Sequence, residues 1–102
     1  MQVYNKLVRD RIPEVIKSEG RNCVVRTLRD DDARKMLSEK ILEEAGEFIQ
    51  NPSMEEMADI LEILYSLMKK HGWRPEDVER IRAEKSLKRG SFDKNVFLVE
   101  AD

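Results

Sequence analysis

Two apolar repeats with helical spacing, separated by a three-residue break, constrain the fold of this 102-residue chain most strongly. The first repeat places five apolar residues on one helix face: Leu37, Ile41, Ala45, Phe48 and Ile49. The second gives its helix a similar face, formed by Met57, Ile60, Leu61, Leu64, Leu67 and Met68. The break is Asn51-Pro52-Ser53, and Ser53 precedes Glu56 with the spacing of a capping box. We therefore predict two long antiparallel helices, ending near Gln50 and at His71-Gly72.

Shorter elements are predicted on both sides of this helix pair. A short helix should span 13–19, and a third helix should run from Pro75 to about Lys88. Asp30, Asp31 and Asp32 offer an N-cap and first-turn negative charge for the first long helix. Segments 23–28 and 95–100 are rich in β-branched and apolar residues and could pair as two short strands. The predicted fold class is therefore a mostly α helical bundle with this small β element, completed by oligomerisation.

The composition further restricts the fold classes and kinds of site that this chain can have. With 4 Gly, 3 Pro and 6% aromatic residues, a sandwich or barrel with many tight turns is not expected. Cys23 and His71 are each the single residue of their type, which excludes a disulfide scaffold and a zinc centre built from Cys or several His. No apolar run approaches the roughly 20 residues that span a bilayer, and no signal-like block precedes the helices. We expect one cytoplasmic domain, residues 1–102, with no membrane partner.

The net charge of −2 hides an uneven distribution of charge. Residues 39–62 contain a single base, Lys40, and eight acids: Glu39, Glu43, Glu44, Glu47, Glu55, Glu56, Asp59 and Glu62. Most of the bases therefore lie in the two flanking regions. An acidic middle between basic ends is the pattern that needs a functional or structural explanation.

Some of these acids fall on the apolar faces of the two helices. At about 100° per residue, Glu44 lies beside Leu37 and Phe48, whereas Glu39 and Glu43 point away. On the second helix Glu56 falls inside the apolar arc and Asp59 at its edge. An ionised carboxylate in such a place costs several kcal/mol unless cations or donors compensate. The pairs Glu44/Glu47 and Glu56/Asp59 could converge on one Mg²⁺, which prefers oxygen ligands, with Mn²⁺ as the alternative.

A simpler interpretation stays open for each acid. Acidic helix faces are commonly just solvated, and the Glu56 carboxylate could serve only as the capping-box partner of Ser53. The basic residues Lys88 and Arg89 could likewise only stabilise the carboxyl end of their helix before Gly90.

Four segments together resemble the all-α NTP pyrophosphatase superfamily, which includes the MazG-like and phosphoribosyl-ATP pyrophosphohydrolase-like proteins. The ExxE and ExxD elements of that family are matched by Glu44-Ala-Gly-Glu47 and Glu56-Met-Ala-Asp59. The opening Tyr4-Asn-Lys-Leu-Val-Arg-Asp-Arg-Ile-Pro13 looks like the start of a small stand-alone branch. Lys88-Arg-Gly-Ser-Phe92 resembles an Arg-Gly-Gly-Phe element in which Ser91 replaces a glycine.

The resemblance implies Mg²⁺-dependent hydrolysis of a nucleoside triphosphate, or a related nucleotide, between the α and β phosphates. The products would be a nucleoside monophosphate and pyrophosphate, and the role could be the removal of unwanted nucleotides. Four acids are the predicted catalytic and metal-binding residues: Glu44, Glu47, Glu56 and Asp59. Substrate contacts are predicted at Asn5, Lys6, Arg9, Lys88 and Arg89, with Arg11 as a further cation suited to phosphate. A homodimer or homotetramer is expected, because so short a chain cannot complete a four-helix core.

Two other functions fit parts of the sequence. A helical nucleic-acid-binding or regulatory module would use the basic ends, but the acidic middle would repel a polyanion, so nucleic acid is not the expected partner. A plain dimerisation domain would use only the amphipathic helices. Metal-dependent turnover separates the enzyme from both.

Overall fold

Helices provide all the regular secondary structure of residues 2–102, the part of the chain that this computed structural model describes. Four follow one another along the chain: α1 (Ile12–Ser18), α2 (Asp30–Gln50), α3 (Met54–His71) and α4 (Pro75–Arg89). The prediction of a mostly helical protein is confirmed, and the two long helices end where the apolar repeats end. The predicted short helix and the Pro75 helix are also present, each within one residue of its predicted bounds.

The ends of α3 follow their local sequence. The Glu56 N–H donates to Ser53 Oγ at 3.1 Å, so the predicted cap is confirmed. At the other end Gly72 adopts a left-handed conformation, with φ at 75°, and the Trp73 N–H donates to the Met68 carbonyl at 2.8 Å. These bonds satisfy backbone groups that the helix ends leave free.

The start of α2 differs from its prediction. Arg29 is the N-cap residue and its side chain makes no capping bond, whereas the three aspartates lie inside the first turn. The helix starts before them because the Ala33 N–H donates to the Arg29 carbonyl at 2.9 Å. The predicted aspartate N-cap was wrong, but negative charge at that position still interacts favourably with the helix dipole.

The core lies between α2 and α3. Leu37, Ile63 and Leu67 form a buried cluster, and Leu7 and Ile41 pack against it. Other residues predicted on the apolar faces are far more accessible: Ile49 is 78% exposed, and Met57, Leu61 and Leu64 are also exposed. The predicted faces are wider than the surface that one neighbouring helix can cover.

The predicted two-stranded element was wrong, since residues 2–102 contain no strand. Segments 23–28 and 95–100 lack helix and strand hydrogen bonding, and the side chains of Val24 and of 96–99 are between 75% and 86% exposed. An isolated pair of short strands is marginal in water, and β-branched residues favour a strand only when a neighbour pairs with them.

The molecule is extended. Its radius of gyration is 18.1 Å, against about 13 Å for a compact domain of this length. Its accessible surface is 9706 Å², whereas about 6,000 Å² is typical of a compact monomer of this mass. In the described part of the chain, none of the helices has the length and apolar character needed to cross a membrane.

Candidate metal centre

Three carboxylates from α2 and α3 meet beside the core. Glu44 follows the buried Leu37 by two helical turns, and Glu56 precedes the buried Ile63 by two turns. Both side chains therefore lie on the faces along which the helices pack. Together with Asp59 they offer three carboxylate oxygens that all lie within 4.8 Å of one another. The convergence of acids from the two helices is thus present for these three residues.

Two oxygens of this group are removed from water. The Glu44 side chain is only 12% exposed. The Oε2 atoms of Glu44 and Glu56 are buried and have no hydrogen-bond partner among the described residues. Buried polar atoms are seldom left unsatisfied, and a cation, a proton or an ordered water can each satisfy these oxygens. A divalent cation with oxygen ligands fits this arrangement.

The closeness of these carboxyls also raises the pKa of one of them, Glu56. The close approach of the Glu44 carboxyl, followed by loss of solvent and then by the nearby Glu47, raises the pKa of Glu56 to about 7. Closely spaced carboxylates disfavour one another's charged form, so a raised pKa is the expected direction for Glu56 in this group.

Glu43 and Glu47 extend the acidic surface along α2. One oxygen from each of these residues and one from Glu44 also lie within 4.8 Å of one another. Glu43 is exposed, as predicted, yet it belongs to this second acid group, which was not predicted from the sequence. The signal was available, since Glu43 and Glu47 are four residues apart and therefore share a helix face.

Three cations face these five acids. Lys6 Nζ lies 3.1 Å from Glu43 Oε1, Lys40 Nζ lies 3.7 Å from Glu44 Oε1, and Arg9 Nη2 donates to Asp59 Oδ1 at 2.7 Å. The Lys6 ammonium lowers the pKa of Glu43 by hydrogen bonding. Within residues 2–102, Glu47 and Glu56 form no ion pair. With all five carboxyls ionised, the group has two more negative than positive charges, which a divalent cation would balance.

The predicted substrate residues divide into two sets. Asn5 and Lys6 line a cleft on α2 with Met36, Lys40 and Glu43, and Asn5 has a left-handed backbone with φ at 47°. Arg9 reaches the acid group directly.

The other predicted cations lie elsewhere. Lys88 and Arg89 occupy the last turn of α4, which has no buried residue, and neither forms an ion pair in the described chain. Arg11 Nε donates to Glu14 at 3.1 Å and does not pair with the acid group.

Comparison with known proteins identifies one partial relative. A protein of Mycolicibacterium smegmatis described as uncharacterized is 52% identical over 42 residues. The match covers 41% of this chain and 43% of that protein, so the chain aligns with less than half of the relative's length. No protein-family model matches the chain. No solved structure matches it either.

Proposed function

We propose that this protein is a Mg²⁺-dependent nucleotide pyrophosphohydrolase. It would cleave a nucleoside triphosphate or related nucleotide between the α and β phosphates and release a monophosphate and pyrophosphate. The observation that carries the proposal is the meeting of Glu44, Glu56 and Asp59, with buried oxygens that lack a partner. The motif resemblance supplies the reaction type. A cytoplasmic location, where such nucleotides are abundant, and a role in removing unwanted nucleotides belong to the same proposal.

The acids divide the chemical work. Glu44, Glu56 and Asp59 would hold the metal, and Glu47 beside them would be a fourth ligand or the base that accepts a proton from the attacking water. When bound, Mg²⁺ (or Mn²⁺) neutralises phosphate charge and lowers the pKa of bound water. The buried side of the Glu44 carboxylate limits access of bulk water, so that charges at this site interact more strongly than at the surface.

The nearby cations would orient the phosphates. Arg9 offers a planar guanidinium suited to two phosphate oxygens, and Lys6 and Asn5 border the adjoining cleft. Lys88 and Arg89 remain predicted phosphate contacts.

Assembly into a homodimer or homotetramer is part of this proposal. The exposed apolar residues of α3, including Met57, Leu61 and Tyr65, and the accessible surface of 9706 Å² support it. An antiparallel arrangement of α2 and α3 is supported by their three-residue connection and by Lys70 Nζ, which lies 3.7 Å from Asp30 Oδ1. Light scattering over a range of concentrations tests assembly, and a monomer mass throughout would contradict it.

The activity is tested by ³¹P NMR with a panel of canonical and modified nucleoside triphosphates, in Mg²⁺ and in EDTA. Monophosphate and pyrophosphate should form only with Mg²⁺. Glu56→Gln and Asp59→Asn should abolish turnover while circular dichroism shows an unchanged helical content. Inorganic phosphate and diphosphate as products would contradict α–β cleavage, and full activity of either variant would contradict the site.

The nucleic-acid alternative predicts a different result from the same preparations. No nucleotide would be cleaved, and binding to DNA or RNA would weaken steeply with salt and would not need Mg²⁺. A dimerisation domain would give neither signal, and Glu56→Gln would leave its stability unchanged or raise it.

A further inference from the structure

The residues before α1 lie against the proposed metal site through side chains. No backbone hydrogen bond joins residues 4–8 to the rest of the described chain. Leu7 packs against the core cluster, Lys6 pairs with Glu43, and Arg9 pairs with Asp59. We call residues 4–11 the strap. Two of its three attachments are to acids of the group, and the third is to the core between α2 and α3.

The contact of Arg9 with Asp59 is the one that involves a proposed metal ligand directly. The two residues are 50 positions apart in the sequence, and Nη2 donates to Oδ1 at 2.7 Å. Asp59 is 42% and Arg9 59% exposed, so solvent and ions can reach the pair and each partner has room to leave it. An exposed ion pair of this type is weak, which makes it exchangeable.

We infer that Arg9 and the divalent cation compete for the Asp59 carboxylate, so that metal binding loosens the strap at Arg9 and frees the Arg9 guanidinium for the phosphates. This inference rests on the proposed metal site. A guanidinium and a dication on one carboxylate repel each other within a few ångströms. The Arg9 guanidinium pairs with Asp59 when no metal is bound. It thus becomes available to the phosphates when nucleotide and metal bind together. Arg9 thus attaches the strap to Asp59 before metal binds and contacts the phosphates afterwards.

Mg²⁺ titration calorimetry of the full chain, without nucleotide and at constant ionic strength, provides the first test. Arg9→Gln should bind Mg²⁺ about two- to fivefold more tightly than wild type, which is the range that an exposed ion pair allows. Arg11→Gln is the matched control. It removes the same charge two residues further along the chain, and the Arg11 guanidinium pairs with Glu14. Its affinity should stay within about twofold of wild type, since the Arg11 side chain pairs with Glu14 and with no proposed metal ligand.

Limited trypsin digestion measures how accessible the strap is. Mass spectrometry follows the rate of cleavage at the bond after Lys6. Saturating Mg²⁺ should accelerate this cleavage severalfold in wild type and in Arg11→Gln. Arg9→Gln should be cleaved at the faster rate with or without Mg²⁺. Asp59→Asn should also be cleaved quickly in EDTA, because it weakens the attachment without any metal.

The outcomes separate this inference from the proposed function. Equal Mg²⁺ affinities for wild type and Arg9→Gln, or cleavage after Lys6 that ignores Mg²⁺, would overturn the competition and leave the metal site standing. No Mg²⁺ binding by either protein would overturn the metal site and the competition together.

Discussion

The α2–α3 pair and the α4 region use the same kinds of residues in opposite ways. Between α2 and α3, leucines and isoleucines are buried and the acids next to them gather on one side. In α4 no residue is buried, Leu87 is 90% exposed, and the charges pair along the helix, as in the bidentate bond from Arg82 to Glu79 at 2.7 and 2.8 Å.

The neighbours of an acidic residue decide whether it is already satisfied or still able to bind a cation. Glu79 has its own cation three residues away, which lowers its pKa and leaves nothing unsatisfied. Glu56 has carboxylates for neighbours, and its pKa moves in the opposite direction. A local cation satisfies Glu79 within α4, whereas packing of two helices brings like charges together at the proposed site.

The largest contrast is expected in catalysis. Glu44→Gln should lower nucleotide hydrolysis at least about a hundredfold, because it removes charge from a proposed metal ligand without changing the side-chain shape. The exposed Glu79→Gln in α4 should retain wild-type rates. Steady-state pyrophosphate release with Mg²⁺ measures both, and comparable activity of the two variants would remove the distinction between the regions.

A second contrast concerns stability. Leu67→Ala should lower the free energy of unfolding by about 2–3 kcal/mol, since it opens a cavity in the small core. Leu87→Ala changes an exposed side chain and should stay within about 0.5 kcal/mol. Urea denaturation followed by circular dichroism gives both values. A large loss for Leu87→Ala would show that a second copy covers this part of α4 in solution.

The acid group should give the metal-free protein an unusual pH dependence. The folded pKa of Glu56, about 7, lies above its ordinary value of 4.5, so between these values the folded protein binds more protons than the unfolded chain. Stability from this group is therefore complete below pH 4.5 and is lost as the pH rises through 7. Urea midpoints in EDTA should fall from pH 5 to pH 8.

Two variants locate the origin of that slope. Glu56→Gln should flatten it, whereas Glu79→Gln should leave it unchanged, because the lowered pKa of Glu79 affects stability only below about pH 4.5. Adding Mg²⁺ at pH 8 should raise the midpoint of wild type. A slope that persists in Glu56→Gln would assign the effect to another group.

The smallest effects concern two glycines with different backbones. Gly72→Ala forces a left-handed conformation on alanine and should cost about 1 kcal/mol. Gly46→Ala, inside α2 with no atom beyond the adjacent helix backbone within 4 Å of the added carbon, should stabilise by about 0.5–1 kcal/mol. Thermal unfolding measures both changes. Destabilisation by Gly46→Ala would indicate that a second copy packs closely at this position.

Several features of the fold could be predicted from the sequence because they depend on neighbours within one or two turns. The apolar repeats gave the two long helices, and Ser53 with Glu56 gave the start of α3. Glu56 was also correctly placed on the packing face. The strands at 23–28 and 95–100 could not be judged in this way, since a strand requires a distant partner that its own residues do not specify.

The sequence by itself determined which residues form helices and that Glu44 and Glu56 lie on their apolar faces, because helix periodicity is a local property. Only the tertiary structure decided that Glu44, Glu56 and Asp59 approach within 4.8 Å, that Glu43 belongs beside them, and that Arg9 pairs with Asp59 across 50 residues. These contacts depend on how α2, α3 and the strap pack. Packing sums many weak contacts over the whole chain, so no short pattern of residues contains it.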